Sequence, residues 1–335
     1  MKSWLRDFLA NGLQSLGITN PSLRYSDHLF IVTFHRVLPE EQRQSYPLPG
    51  LVVTPEELDW FVRFFQEHFR CLRLDSLSHD MSKGRLPEQP GLAITFDDGQ
   101  LDNFLHAAPV LDRYGIPATF FVPVDAVQHQ ELLWHDRMGY AIQGLISQHP
   151  QSQLLTQFNL YNGLPIQNPA LAVSCAKQWT QSQRDKWIRQ AEELVPESIP
   201  SWDGMMTWEH LRELVHRGHE IGSHSYSHPL LVQCDDTQLE HEIIGSRLRL
   251  EKELGTEVSS FCYPNGDLNE RVLDVVSRAG YSLAVTTQWG SNLPGNGTLA
   301  LKRIDMVAEN SRNRHGALSA ARVAMRMTGF VRGVQ

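Results

Sequence analysis

Short apolar runs that end in polar residues alternate with amphipathic helical segments along most of this chain, and this alternation limits the fold more than any other feature. LFIVTF (29–34) reads as a buried strand that runs into His35 and Arg36. Thr54-Pro55-Glu56-Glu57 then forms a capping box with proline at the first helical position, and Leu58, Phe61, Val62, Phe65 and Phe69 make one helical face. The pattern continues with a strand at 92–96, a helix over 101–114, a strand at 118–123, a helix over 207–217 and a strand at 219–223. A helix opening at Asp236 or Thr237 stops at Gly255, a strand ends at Tyr263-Pro264, a helix covers 267–279, and strands follow at 281–287 and 300–304. Repeated β–α units of this kind mean a parallel sheet covered by helices, and their number suits a closed or nearly closed barrel of the α/β class.

One stretch breaks the rhythm. From 128 to 203 there are helical patches such as 184–194, with Pro150, Pro165, Pro169, Pro196 and Pro200 between them and no strand pattern. We read this as a mainly helical insertion (128–203) that separates a first part of the barrel (29–127) from a second (204–310), and that either walls a substrate groove or is a helical elaboration with no catalytic part. Residues 1–28 form an amphipathic helix and lead-in, with Trp4, Leu5, Phe8, Leu9, Leu13 and Leu16 on one face expected to pack against the body. Residues 311–335 form a C-terminal helix and tail, whose Arg322, Arg326 and Arg332 alternate with Val323, Met325, Met327, Phe330 and Val331 in a barrel-covering helix. Peripheral contact with an acidic membrane surface is the alternative for both terminal segments.

Charge and cysteine content narrow the function. Thirty basic against 38 acidic residues give a net charge of −8, which offers no electrostatic footprint for nucleic acid. Cys71, Cys175, Cys234 and Cys262 show no CxxC spacing and read as free thiols. Arg6 and Asp7 interrupt the stretch where a signal peptide needs an apolar run, and no run reaches membrane-spanning length, so a cytoplasmic location is expected.

If the strands are parallel, their C-terminal ends share one face of the barrel, where barrel enzymes gather functional groups. That face receives His35 after the first strand, Asp97 and Asp98 after AITF, His224 and His228 after HEIGS, and Tyr263-Pro264-Asn265-Gly266 after the SFC strand. In SHSYSHP the two histidines stand four apart, a spacing that lets both imidazoles meet one ion if the chain between them coils as a helical turn. Unlike HExxH, this segment supplies no general base of its own, which leaves Asp97 or Asp98 for that part. An isolated DDG is most often a turn and an isolated HxxxH a surface pair; at successive strand ends they point to a metal site.

TFDDG, H-S-x-x-H and a strand ending in YPxG together resemble the NodB-homology polysaccharide deacetylases, carbohydrate esterase family 4, over about His35 to Arg303 without the insertion. The resemblance implies a distorted (β/α)7 barrel that removes acetyl groups from N-acetylated sugars with a divalent metal, most often zinc, with cobalt or nickel as alternatives. Matched position by position, Asp98, His224 and His228 are the metal ligands, Asp97 is the catalytic base, and the backbone N–H of Asn265 stabilises the oxyanion. The adjacent carboxylates Asp97 and Asp98 then make sense, because a cation on one offsets their repulsion and leaves the other ionised.

Two positions depart from the commonest family pattern. SSFCYPNG lacks the arginine that holds the catalytic aspartate, and ALKRIDM lacks the histidine that acts as acid. The departure resembles the branch acting on poly-N-acetylglucosamine, in which a histidine after the first strand is the acid, and TFHRV assigns this part to His35. Arg303 is the candidate to orient Asp97, with a substrate contact or a barrel ion pair to Asp305 as the alternatives. Tyr263, Pro264 and Trp289 are expected to contact sugar, as are Tyr226 and Trp134. Gly266 is expected to let the chain pass close to substrate. The resulting expectation is an N-deacetylase acting on N-acetylhexosamine in a polysaccharide or lipid-linked glycan precursor. The alternatives are a deformylase or amidase built on the same site, and a catalytically silent carbohydrate-binding homologue. Sequence sets no oligomeric state.

Overall fold

The computed structural model describes residues 3–76, 89–158, 166–295 and 297–330; Pro165, Val331 and Arg332 lie outside them. In chain order the strands are β1 (Leu29–Phe34), β2 (Arg36–Val37), β3 (Val52–Val53), β4 (Arg70–Cys71), β5 (Gly91–Phe96), β6 (Thr119–Val122), β7 (Glu220–Ser223), β8 (Ser260–Cys262), β9 (Leu283–Trp289) and β10 (Leu301–Asp305). Strands β1, β5, β6, β7, β8, β9 and β10 pair in that order, all parallel, and β10 returns to β1, which closes a (β/α)7 barrel. β4 adds to β5 beside Gly91 and Leu92, while β2 and β3 form a separate pair. The barrel is distorted between β9 and β10, where Leu301 faces Val285 but Arg303 faces Trp289, so β9 carries two extra residues.

Both faces of these strands are buried, which is why they read as unbroken apolar runs. The two-residue side-chain period sorts them. Leu29, Ile31, Ala93, Phe121, Cys262 and Leu301 fill the barrel interior, and Phe30, Val32, Phe34, Ile94, Phe96 and Phe120 pack outward under the helices. Extending the same alternation to the strand ends places Thr33, Thr95 and Asp97 inward, with Arg303 in phase with Leu301. The site is therefore set by register before any loop is considered.

The 128–203 segment supplies helices at Trp134–Gln148, Gln153–Thr156, Pro169–Ala176 and Gln181–Leu194, and no strand among its described residues. It has its own core around Met138, Ile142, Leu145, Trp187 and Ile188. A buried polar network joins it to the barrel: Arg36 Nε donates to Asp102 at 2.9 Å, its Nη2 to Asp203 at 2.6 Å, and the Tyr140 hydroxyl to Asp203 at 2.6 Å. Asp136 accepts from Gln100 at 2.6 Å and from the Tyr46 hydroxyl.

The first helix, Ser3–Ser15, corrects the sequence expectation. It docks on the last helix, Ala320–Met327, through Ala10 and Leu13 against Ala321 and Met325, while Trp4, Phe8, Leu9 and Leu16 stay exposed. Periodicity identifies the apolar stripe, but the small side chain of Ala10 permits the close approach, so the helix is turned away from its bulky face. The last helix covers the barrel with Val323, Ala324 and Met327.

Candidate active site

β5 gives way directly to Asp97, whose N–H still donates to Phe34 O at 3.1 Å. Asp98 and Gly99 then take positive φ values of 75° and 72° and turn the chain sharply, so that neighbouring carboxylates serve different places. Asp97, 3% exposed, points into the barrel and is gripped by Arg303, whose Nη1 and Nη2 each reach a carboxylate oxygen at 2.7 Å. The guanidinium also donates to Thr286 O at 2.9 Å, to Thr33 Oγ1 at 3.1 Å, to Thr95 Oγ1 at 3.2 Å and to Cys262 Sγ at 3.2 Å. Burial pushes the Asp97 carboxyl up, but Arg303, with His224 and His35, outweighs it and holds it below the ordinary range. Asp305 is not among the hydrogen-bond partners of Arg303.

Asp98 turns the other way. Its Oδ1 lies 3.5 Å from His224 Nε2 and 3.4 Å from His228 Nε2, and the two nitrogens are 3.2 Å apart. His224 Nδ1 sits 2.8 Å from Cys262 O, so that nitrogen carries the proton and Nε2 offers its lone pair to the triangle. The intervening chain does not coil as the helical turn expected from the spacing. Ser225 (φ 66°) and His228 (φ 58°) are left-handed instead, Ser225 Oγ accepts from His228 N at 3.0 Å, and the buried Glu242 accepts from the Tyr226 and Ser227 N–H groups at 2.9 and 2.8 Å. Convergence thus comes from a capped loop. Burial opposes charge on Asp98, yet His224, His135, His228 and His35 hold its carboxyl well below the usual range.

The triangle fits a divalent cation. Ligands about 2.0–2.1 Å from an ion at tetrahedral angles stand roughly 3.3–3.4 Å apart, which is the spacing of these three atoms. Asp97, His224 and Cys262 form a second close cluster, but both Asp97 oxygens are committed to Arg303 and burial raises the Cys262 thiol away from thiolate.

His35, Asp97, Asp98, His224, His228 and Arg303 all line one cavity of about 230 Å³. Tyr263 forms a wall, its hydroxyl donating to Leu299 O at 2.8 Å. Asn265 (φ 60°) is also at the rim, with its side chain tied to Lys177 and Asp267. Gly266 corrects its expected part: a Cβ there would lie 2.0 Å from Thr287 Oγ1, so the close approach is to β9. Two expected sugar contacts are also elsewhere. Pro264 is buried, and Trp289, in the part of β9 that carries its two extra residues, is half-buried against the outer core, where a Cβ on Gly329 would come within 2.9 Å of its ring. Tyr226 stacks on His241.

Sequence reasoning missed His135 and Lys177. The insertion brings both to the cavity with Trp134 and Val173, and His135 Nε2 stands 3.7 Å from Asp98 Oδ2 and 3.5 Å from Asp136 Oδ2. The only signal was a histidine and an aspartate at the start of a long amphipathic helix. A larger cavity of about 450 Å³ adjoins the first across Trp134 and His228 and extends over Arg137, Arg184 and Arg189. It lacks the paired carboxylates, so the chemistry belongs to the smaller one.

A closed seven-stranded parallel barrel thus carries two carboxylates and two imidazoles together at its C-terminal rim. Residues 85–284 match the family model described as polysaccharide deacetylase, and the chain belongs to that family. It is similar to the YxkH protein of Bacillus subtilis (strain 168), 21% identical over 269 residues that make up 80% of this chain and 70% of the relative. Among solved structures it resembles the deacetylase PplD of Streptococcus pyogenes in complex with acetate, with a TM-score of 0.60 and 19% identity over 90% of this chain and 98% of that one. It also resembles IcaB from Ammonifex degensii, with a TM-score of 0.57 and 18% identity over 89% and 96% of the two chains. At these identities the structural likeness speaks for the fold.

Proposed function

We propose that this protein is a metal-dependent N-deacetylase acting on N-acetylhexosamine units of a glycan. The observation that carries the reading is the Asp98–His224–His228 triangle opening into the same cavity as Asp97 and His35. Asp98, His224 and His228 would hold a divalent ion, zinc or alternatively cobalt or nickel, which would supply Lewis acidity towards the amide carbonyl and lower the pKa of a water to about 7.

The chain's own groups have separate tasks. Asp97 stays ionised at neutral pH because Arg303 faces it, and Arg303 fixes the plane of the carboxylate that takes the proton of the attacking water. The N–H of Asn265 meets the developing oxyanion; losing such a donor costs about 2.7–4 kcal/mol of barrier. His35 delivers a proton to the departing amine, and Trp134, half-buried at the cavity, offers its ring to the sugar, while Tyr263 is fully buried behind the wall. The adjoining cavity gives room for further units of a polymer. A histidine at the catalytic cavity supports an active enzyme over a silent homologue.

The test is acetate release from chitooligosaccharides, poly-N-acetylglucosamine fragments and lipid-linked N-acetyl sugars, after chelation and after adding back zinc, cobalt or nickel. Metal-restored acetate release that Asp97→Asn abolishes is the expected result. Formate release from formylated analogues alone would move the reading to a deformylase, and no metal-dependent release from any of these substrates would end it.

A further inference from the structure

Six of the twelve exposed large apolar side chains among the described residues lie in the segments before β1 and after β10, about a sixth of the chain: Trp4, Phe8, Leu9, Leu16, Leu23 and Phe330. Excluding Leu9, these are 50–74% exposed. The two segments form one layer, since the Ser3–Ser15 helix packs on the Ala320–Met327 helix, Asp7 accepts from Arg322 at 2.6 Å and from Arg314 N at 3.0 Å, and the Tyr25 hydroxyl donates to Thr328 O.

Charge says what this layer meets. Residues 1–28 and 306–335 hold eight basic residues and three acidic ones, Asp7, Asp27 and Glu309, a net +5. The whole chain carries −8, so the remainder carries −13. Aromatic and aliphatic side chains standing out from a basic layer on an otherwise acidic protein match a surface that is apolar below and anionic above. Two copies meeting through this layer would place like charges together.

We propose that the layer formed by the first and last helices is a docking surface for an anionic lipid bilayer, with Trp4 and Phe8 entering the interfacial zone and the exposed Arg314 facing the headgroups. The helix lies on the surface; among the described residues none is long and apolar enough to cross a membrane.

The experiment is co-sedimentation of the full chain with vesicles of phosphatidylcholine alone and with added phosphatidylglycerol, beside analytical ultracentrifugation without lipid. Binding to the phosphatidylglycerol vesicles that weakens with salt is expected. Trp4→Ser/Phe8→Ser should reduce it at least about tenfold, and Arg314→Glu by about fivefold or more. Melting temperature, and any acetate release from soluble short oligosaccharides, should be unchanged in both, which keeps this test separate from the catalytic one. Failure to bind the anionic vesicles, wild-type binding by the double variant, or a dimer that the double variant dissolves would each overturn the proposal.

Discussion

Replacing Arg303 by methionine should expose how far the barrel depends on one cation. The change removes six hydrogen bonds of 2.7–3.2 Å and leaves the Asp97 carboxylate inside the barrel without its counter-charge. Breaking one side of a buried ion pair costs about 3–5 kcal/mol, far more than a surface pair, because the stranded charge keeps its desolvation cost. Urea unfolding followed by tryptophan fluorescence should show the midpoint falling by on the order of 1 M. The loss belongs mainly to the abandoned carboxylate, so Asp97→Asn in the same background should regain about 1–3 kcal/mol. Arg303→Lys keeps the charge but not the planar fork and should fall between. Acetate release by Arg303→Met should drop roughly a hundredfold, mostly in kcat, if the Asp97 carboxylate is the proposed base and is no longer aimed. If the double variant is no more stable than Arg303→Met, the buried carboxylate is not the source of the loss and the reasoning fails.

Other outcomes can be checked alongside. Asp98→Asn and His224→Ala should each abolish the rise in melting temperature that added zinc gives the wild type, a rise worth about 2.7 kcal/mol at a hundredfold excess over Kd. Gly266→Ala, with φ at 77° and Thr287 N 2.6 Å from the added carbon, should lower stability by about 2–5 kcal/mol in a thermal melt. His219 is pushed down to about 4, first by burial and then by Arg217, and its Nδ1 accepts from Ala118 N at 3.1 Å, a bond that only the neutral ring can make. Its depressed value means stability present above about 6.5 and lost as pH falls towards 4, roughly 3 kcal/mol in all. The stability-versus-pH slope over that window should flatten in His219→Gln, and an unchanged slope would refute the assignment.

Much of the barrel was legible because its physics is local. LFIVTF and LAITF are buried on both faces, Thr54 caps its helix in a full capping box, and Gly255 closes another helix at φ 64°, all as their residue types dictate. The places of Asp97, Asp98, His224 and His228 followed from strand ends sharing one rim. What stayed hidden depended on approach between distant parts. Nothing near His135 or Lys177 in the sequence says that an insertion helix will return to the cavity. Trp289 was misplaced because the two-residue bulge of β9 has no mark in YSLAVTTQW, and the first helix because a stripe of leucines does not reveal that an alanine makes the contact.

The reach of Arg303 has a consequence for how the protein comes into being. From β10 it touches β1 through Thr33, β5 through Thr95 and Asp97, β8 through Cys262 and β9 through Thr286, so one side chain gathers five of the seven staves. It also arrives after all the others, because β10 is the final strand to leave the ribosome. Until then the barrel stays open between β9 and β1, and Asp97 lacks the guanidinium that fixes the plane of its carboxylate. Closure of the barrel and fixing of the Asp97 carboxylate are therefore a single event, timed by the last strand.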